Sequence, residues 1–189
     1  EHLGLEALGV EMNRGKVVVD SHYKTSVNGI YAIGDIIPTP ALAHMASAEA
    51  IHCVEHIAGI DSPTINYGNI PGCTYTSPEI ASVGMTERAV KEKGICYKVG
   101  KFPFTASGKA AAAGERDGFI KLIIDANSDE VLGAHMVGAN VTEMISGIVV
   151  ARNMGVKGAD IIHSVHPHPT MSEAIMEAAE ASAGHAIHI

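Results

Sequence analysis

The stretch Phe119-Ile120-Lys121-Leu122-Ile123-Ile124-Asp125, then Ala126-Asn127-Ser128-Asp129-Glu130, then Val131-Leu132-Gly133-Ala134-His135-Met136-Val137 decides the fold. Its two flanks are short, largely aliphatic and free of proline, as strands are. The five residues between them are small or polar, which is turn composition. The segment therefore reads as two antiparallel strands joined by a hairpin connection.

Working outward, residues 79–83 and 97–104 read as two further strands. Thr86 is placed to cap a helix that reaches Lys93 and is stopped by Gly94. Asn140 and Glu143 have the spacing of a capping box for a helix over 141–154, where Val141, Met144, Ile145, Ile148 and Val149 recur at helical intervals. A last, Ala-rich helix is expected over 171–183. Strands grouped together with helices before and after them predict an α+β domain, an antiparallel sheet with packed helices. Nearer the start, 16–20 and 30–34 read as short strands and 43–58 as a helix. The run at 30–34 is apolar, of the kind buried in parallel sheets. A proline-punctuated connector, Ser62-Pro63-Thr64-Ile65, separates this α/β piece, residues 1–65, from a second unit at 66–189.

Composition narrows the function classes. Hydrophobic residues make up 47% of the chain and charged ones 18%, enough for a substantial core, but aromatics are only 4% and tryptophan is absent, so packing must be aliphatic. Thirteen Lys and Arg against 21 Asp and Glu give a formal charge of -8, which disfavours nucleic acid or an anionic membrane as partner. The longest apolar runs, such as 145–151, fall far short of a membrane span. Cys53, Cys73 and Cys96 are scattered and read as free thiols in a reducing compartment. No Gly-x-Gly-x-x-Gly follows a strand, so the phosphate-cradling turn of a dinucleotide fold is not among these residues.

Chemistry concentrates in the octet His166-Pro167-His168-Pro169-Thr170-Met171-Ser172-Glu173. It sets an imidazole on a proline-stiffened turn and a carboxylate at the start of the last helix. A carboxylate on one ring nitrogen fixes the tautomer and stabilises the imidazolium formed when the other nitrogen takes a proton. The pair suits a general base acting on a thiol or hydroxyl. Two other readings stay open on residues alone. Thr170 and Glu173 have capping-box spacing, and His163, His166 and His168 could crowd a metal, although no cysteine or carboxylate joins them at a familiar zinc spacing.

The octet, with the alanine that follows it, resembles the C-terminal signature of the dihydrolipoamide dehydrogenase family of flavin-dependent disulfide reductases. The presence of His166 and an ending Gly184-His185-Ala186-Ile187-His188-Ile189 without cysteines fit that family better than its glutathione and mercuric reductase relatives. A second segment agrees: Gly29-Ile30-Tyr31-Ala32-Ile33-Gly34-Asp35 with Ala41-Leu42-Ala43-His44-Met45-Ala46 is similar to the family's second flavin-binding stretch. Read physically, a strand ends in Gly34, where backbone can approach a ligand. Asp35 can then accept from a sugar-like hydroxyl, and a helix from Leu42 offers its first amides to an electron-rich edge.

The resemblance implies that residues 1–65 are the tail of an NAD domain plus an incomplete segment of an α/β FAD domain, and that 66–189 form the dimerisation, or interface, domain. It implies His168 as acid/base catalyst, Glu173 as its carboxylate partner, and Asp35, Ala41, Leu42, Ala43 and His44 as flavin contacts, with no metal. His166 is placed by the resemblance near a substrate channel; its ring could equally pack or cap on the turn. The opening Glu1-His2-Leu3-Gly4-Leu5-Glu6 reads as cut from a longer chain. The implied parent is a cytoplasmic or mitochondrial-matrix homodimer. It oxidises dihydrolipoyl groups on the lipoyl domains of 2-oxoacid dehydrogenase or glycine cleavage complexes, using FAD, a redox disulfide and NAD. The piece itself is expected to bind no flavin, and the alternative is an oligomerisation module without activity of its own, or the same part of a related flavin disulfide reductase.

Overall fold

A computed structural model describes residues 3–189, which divide into two compact units, the first running to Asn66 and the second over Tyr67–Ile189. In the first unit a short antiparallel ribbon pairs β1 (Met12–Asn13) with β2 (Lys16–Val17). The expected strand at 30–34 does not form. Tyr31 makes a single antiparallel bridge to Lys24, and Ala32 donates its amide to the Tyr23 carbonyl at 2.9 Å. An apolar run becomes a strand only where a neighbouring backbone runs beside it, and here the pairing is confined to residues 23–25, with the Thr25 amide on the Ile30 carbonyl at 3.0 Å. The helix α1 (Ala43–Ile57) follows. Val10, Val17, Tyr23, Ala32, Ile37 and Cys53 form the unit's buried core.

The second unit is an antiparallel sheet of five strands in the order β3-β4-β7-β6-β5, comprising β3 (Gly72–Thr74), β4 (Glu79–Gly84), β5 (Tyr97–Pro103), β6 (Phe119–Asp125) and β7 (Val131–Gly138). Register sorts the side chains into two faces. Phe102, Ile120, Met136 and Ala81 align across the strands, all at most 2% exposed, and beside them Gly100, Leu122, Ala134 and Val83 form a second core row. Residues one step along, Lys101, Lys121, His135 and Ser82, line the opposite face. This is the period-two alternation that the hairpin's sequence encodes. Fully burying a side chain such as Leu122 contributes about 1.5–3 kcal/mol.

Helices α2 (Glu87–Glu92), α3 (Gly108–Ala113), α4 (Val141–Asn153), α5 (Gly158–His163) and α6 (Glu173–Ala183) complete the unit. On the core face α4 packs on β4 and β7, and α6 packs on β5 and β6 with α5 beside it. Thr86 caps α2 as its sequence predicts, accepting from the Ala89 amide at 3.1 Å. The capping box expected at Asn140 and Glu143 does not form. Asn140 takes a left-handed conformation with φ 63° and makes no side-chain cap bond. Glu79 of β4 supplies the cap instead, its Oε2 accepting from the Thr142 amide at 3.1 Å and the Thr142 hydroxyl at 2.8 Å. A carboxylate at a helix N-terminus meets both the open amides and the positive end of the helix dipole.

Candidate functional site

The apolar stripe of α6 fixes the site. Ala174, Ile175, Ala178 and Ala179 recur at helical spacing and, with Met171 just before the helix, are at most 8% exposed and sit in the sheet's core. Burial of that stripe sets the rotation of the helix and so the direction of Glu173 at its first position. Closeness is made possible by Gly100 of β5: a methyl there would lie 1.7 Å from the Ala178 carbonyl oxygen.

Before the helix, the peptide bond between His168 and Pro169 is cis. Thr170 donates its hydroxyl to the Pro167 carbonyl at 2.8 Å, closing the turn. Glu173 then bonds both ways. Its Oε1 accepts from Nδ1 of His168 at 2.8 Å, and its Oε2 accepts from the Thr170 amide at 2.7 Å. The acid/base and capping readings of Glu173 thus describe one carboxylate with two oxygens in use. The full capping box is absent, because the helix starts at Glu173 with Ser172 preceding it, and the Thr170 side chain faces Pro167 rather than a helix amide.

Electrostatics follow from these bonds. Partial burial pushes the Glu173 carboxyl up, but the Thr170 amide and the His168 ring, with the nearby charge of His166, outweigh it and leave the group below its ordinary value. Glu173 is therefore ionised at neutral pH and can only accept, so Nδ1 of His168 carries the hydrogen. In the neutral ring Nε2 then holds a lone pair, and the His168 side chain is 78% exposed. An oriented imidazole with an open basic nitrogen is equipped to take a proton from an approaching thiol or hydroxyl.

His168 and Glu173 line a cavity of about 130 Å³ together with Phe102, Ser107, Glu177 and His188. The last two were not singled out by the sequence, although Glu177 stands one helical turn beyond Glu173. His163 and His166 do not converge with His168 on a metal. Their Nδ1 atoms contact the Ala159 carbonyl at 2.7 Å and the Ser164 carbonyl at 2.9 Å, and among the described residues no group of three or more His, Cys, Asp or Glu could hold an ion. Cys53, Cys73 and Cys96 are free thiols, and burial raises the first two above their ordinary value. Among the described residues no helix is long and apolar enough to cross a membrane.

In the first unit, Asp35, Ala41, Ala43 and His44 are exposed and Leu42 is half-buried. Gly34 has φ +70°, and its amide donates to Oε2 of the fully buried Glu49 at 2.6 Å. A Cβ on Gly34 would meet the Ala46 side chain at 3.1 Å, so the glycine serves a left-handed turn packed against α1. Leu42 makes no side-chain cap bond to α1, and the first turn of that 15-residue helix carries no acidic side chain. The Met45 and Ala46 amides both donate to the Leu42 carbonyl at 3.0 Å, and the Asp35 side chain stands exposed beside the Gly34 turn.

Residues 70–179 match the model of the pyridine nucleotide-disulphide oxidoreductase dimerisation domain, and residues 1–50 match that of pyridine nucleotide-disulphide oxidoreductases. The chain is 53% identical to a dihydrolipoyl dehydrogenase of Rhizobium etli over 94% of its own length and 37% of that protein's. It is 48% identical to one of Zymomonas mobilis over 100% of its length and 41% of that protein's. Among solved structures, LpdA of Mycobacterium tuberculosis superposes with a TM-score of 0.88 at 27% identity, over 95% of this chain and 39% of the other. The HOCl-induced flavoprotein disulfide reductase RclA of Escherichia coli gives a TM-score of 0.86 at 24% identity, over 94% of this chain and 41% of the other, a likeness of fold. The chain thus spans about two fifths of the length of the relatives it matches.

Proposed function

Since the chain belongs to the pyridine nucleotide-disulphide oxidoreductase family through the dimerisation domain matched at residues 70–179, we propose that it serves as the C-terminal part of a dihydrolipoyl dehydrogenase. In this reading it contributes a homodimer interface and the His168–Glu173 acid/base pair. The parent oxidises protein-bound dihydrolipoyl groups, carried by lipoyl domains of 2-oxoacid dehydrogenase or glycine cleavage complexes, in the cytoplasm or the mitochondrial matrix. The observation that supports the pair's role most directly is the 2.8 Å bond from His168 to an ionised Glu173.

His168 Nε2 takes the proton of one substrate thiol. A free thiol titrates near ~8.5, so only a few per cent is thiolate at neutral pH, and a base beside it raises that share. Glu173 holds the ring in the productive tautomer and stabilises the imidazolium. The thiolate sulfur attacks one sulfur of a disulfide borne elsewhere in the full-length polypeptide. A new S–S bond forms, and the other sulfur leaves as a thiolate with the electron pair. The second substrate thiol then closes the oxidised ring by displacing the first enzyme sulfur, and its proton passes to that departing sulfur, which leaves as a thiol. Asp35 and the Ala41, Leu42, Ala43 and His44 turn would hold part of FAD, which with NAD would supply the acceptors for the electron pair. One carboxylate and a helix end cannot enclose a ligand of that size, so residues 1–65 are not expected to retain flavin by themselves.

Dimerisation is supported by apolar side chains left exposed in the second unit, with Val165 at 99%, Met154 at 76% and Val150 at 59%. Stable interfaces bury upwards of ~1,200 Å² in total. The test is to purify the full-length polypeptide, record flavin absorbance and sedimentation, and assay NAD-dependent oxidation of dihydrolipoamide. A flavin-bearing dimer that turns over the dithiol is expected. A monomer, or a flavoprotein inert toward dihydrolipoamide, would overturn the reading.

A further inference from the structure

The cavity that holds His168 and Glu173 contains a second imidazole and a second carboxylate. Glu177 leaves α6 one turn beyond Glu173, on the same side of the helix. Its side chain is only 5% exposed. Oε1 accepts a hydrogen bond from Nδ1 of His188, while Oε2 is buried without a partner among the described residues. A carboxylate so removed from water needs a hydrogen-bond donor in place of its lost hydration. Among the described residues the His188 ring is what meets it.

His188 comes from the opposite direction to His168. The helix stops at Gly184, whose φ of +79° turns the backbone, and the His185 amide bonds the Glu180 carbonyl at 3.0 Å. The chain then runs back until the His188 ring reaches Glu177. Beside it Ile187 and Ile189 stand in solvent, 73% and 55% exposed. One imidazole before α6 thus sits on the first carboxylate, and one after it sits on the next.

Resting on the reading of His168 as the base, we propose that Glu177 and His188 form a positioning couple. The buried Glu177 fastens residues 184–189, and the fastened His188 ring forms a wall of the cavity in which the dithiol meets His168. His188 removes no proton from the substrate. It narrows the space beside the incoming dithiol arm, and so acts on binding rather than on the bond-making step.

The experiment uses the full-length polypeptide with H188A, H188N, E177A and the double variant H188A/E177A. Kinetics with dihydrolipoamide are read together with hydrogen exchange of the amides at 184–189. H188A removes a ring from an exposed segment and leaves the core intact. It should raise KM about fivefold with kcat within about twofold, the signature of lost binding, and speed exchange at 184–189. H188N keeps a side-chain N–H for Glu177 and should restore slow exchange and most of the KM. The double variant should be no worse than E177A, because both changes cut the same tie. If E177A does not fold, H188A and H188N decide. Unchanged exchange at 184–189 in H188A, or an unchanged KM, would overturn the proposal. Failure of the base reading shows separately, as normal turnover in H168Q, and leaves the exchange result to report on the tie itself.

Discussion

Replacing Gly100 by alanine adds one carbon where β5 meets α6. That carbon would stand 1.7 Å from the carbonyl oxygen of Ala178 and 2.7 Å from the amide nitrogen of Ser182. Both are backbone atoms of the helix and cannot swing aside. To regain ordinary contact the helix must lift by roughly 2 Å, which forfeits much of the attraction along the lifted face. The face concerned carries Ala174, Ala178 and Ala179, each at most 1% exposed. Overpacking a core costs about 1–3 kcal/mol, and an obstruction made of backbone belongs at the upper end. A loss of about 3 kcal/mol shifts the folding equilibrium more than ~100-fold. Gly147 supplies the control, since it lies exposed within α4 with nothing within 4 Å of its added carbon. There the same substitution should stabilise by ~0.5–1 kcal/mol, because alanine loses less backbone freedom on folding. Urea unfolding followed by circular dichroism reads both. With a slope of ~2 kcal/mol/M, Gly100→Ala lowers the midpoint by ~1.5 M and Gly147→Ala raises it by a few tenths. Equal midpoints for Gly100→Ala and the unsubstituted chain would refute the close seating of α6.

Two further substitutions test the electrostatics. Lys121, at 2.5 Å, with Lys91 and Tyr97, holds the Glu87 carboxyl down to about 2 from an ordinary 4.5. Because the folded value is the depressed one, its contribution is complete above pH 4.5 and lost as pH falls toward about 2; Lys121→Met should flatten the acid limb of stability against pH in that window, and an unaltered limb would count against the pairing. Glu79→Ala removes the carboxylate that caps α4 at Thr142 and should cost ~1 kcal/mol in the same urea assay, whereas Asn140→Ala should not lose a cap, since Asn140 makes no side-chain cap bond.

Much of the fold was legible because its signals are local. The strand expected at 119–125 is found at Phe119–Asp125, where aliphatic side chains fall on both sides of a small polar turn. Thr86 and Gly94 bracket α2 by short-range chemistry that a sequence displays directly. What escaped depends on distance or brevity. β3 is three residues long beside glycine and proline, and α3 and α5 are six residues each, too short to show a period. The cap of α4 comes from Glu79, 63 positions before Thr142, while the nearby Asn140 is diverted by its left-handed backbone. Residues 30–34 have strand composition, but among the described residues their pairing is confined to the bridge between Tyr31 and Lys24, and composition alone cannot lengthen it. At the site, the short spacing of His168 and Glu173 made them a readable pair. Gly184 ends α6 as legibly as Gly94 ends α2, but the return of His188 to Glu177 beyond it is a contact eleven positions apart that no local pattern displays.

The most direct measurement of the central claim is turnover of dihydrolipoamide by the full-length polypeptide carrying His168→Gln. Glutamine keeps polarity and approximate size but cannot hold a proton taken from a thiol. General-base catalysis is worth ~10²–10⁴-fold, so kcat should fall by at least ~100-fold while flavin absorbance and the dimer are retained. Turnover close to that of the unsubstituted enzyme, with flavin still bound, would contradict the assignment of His168 as the base.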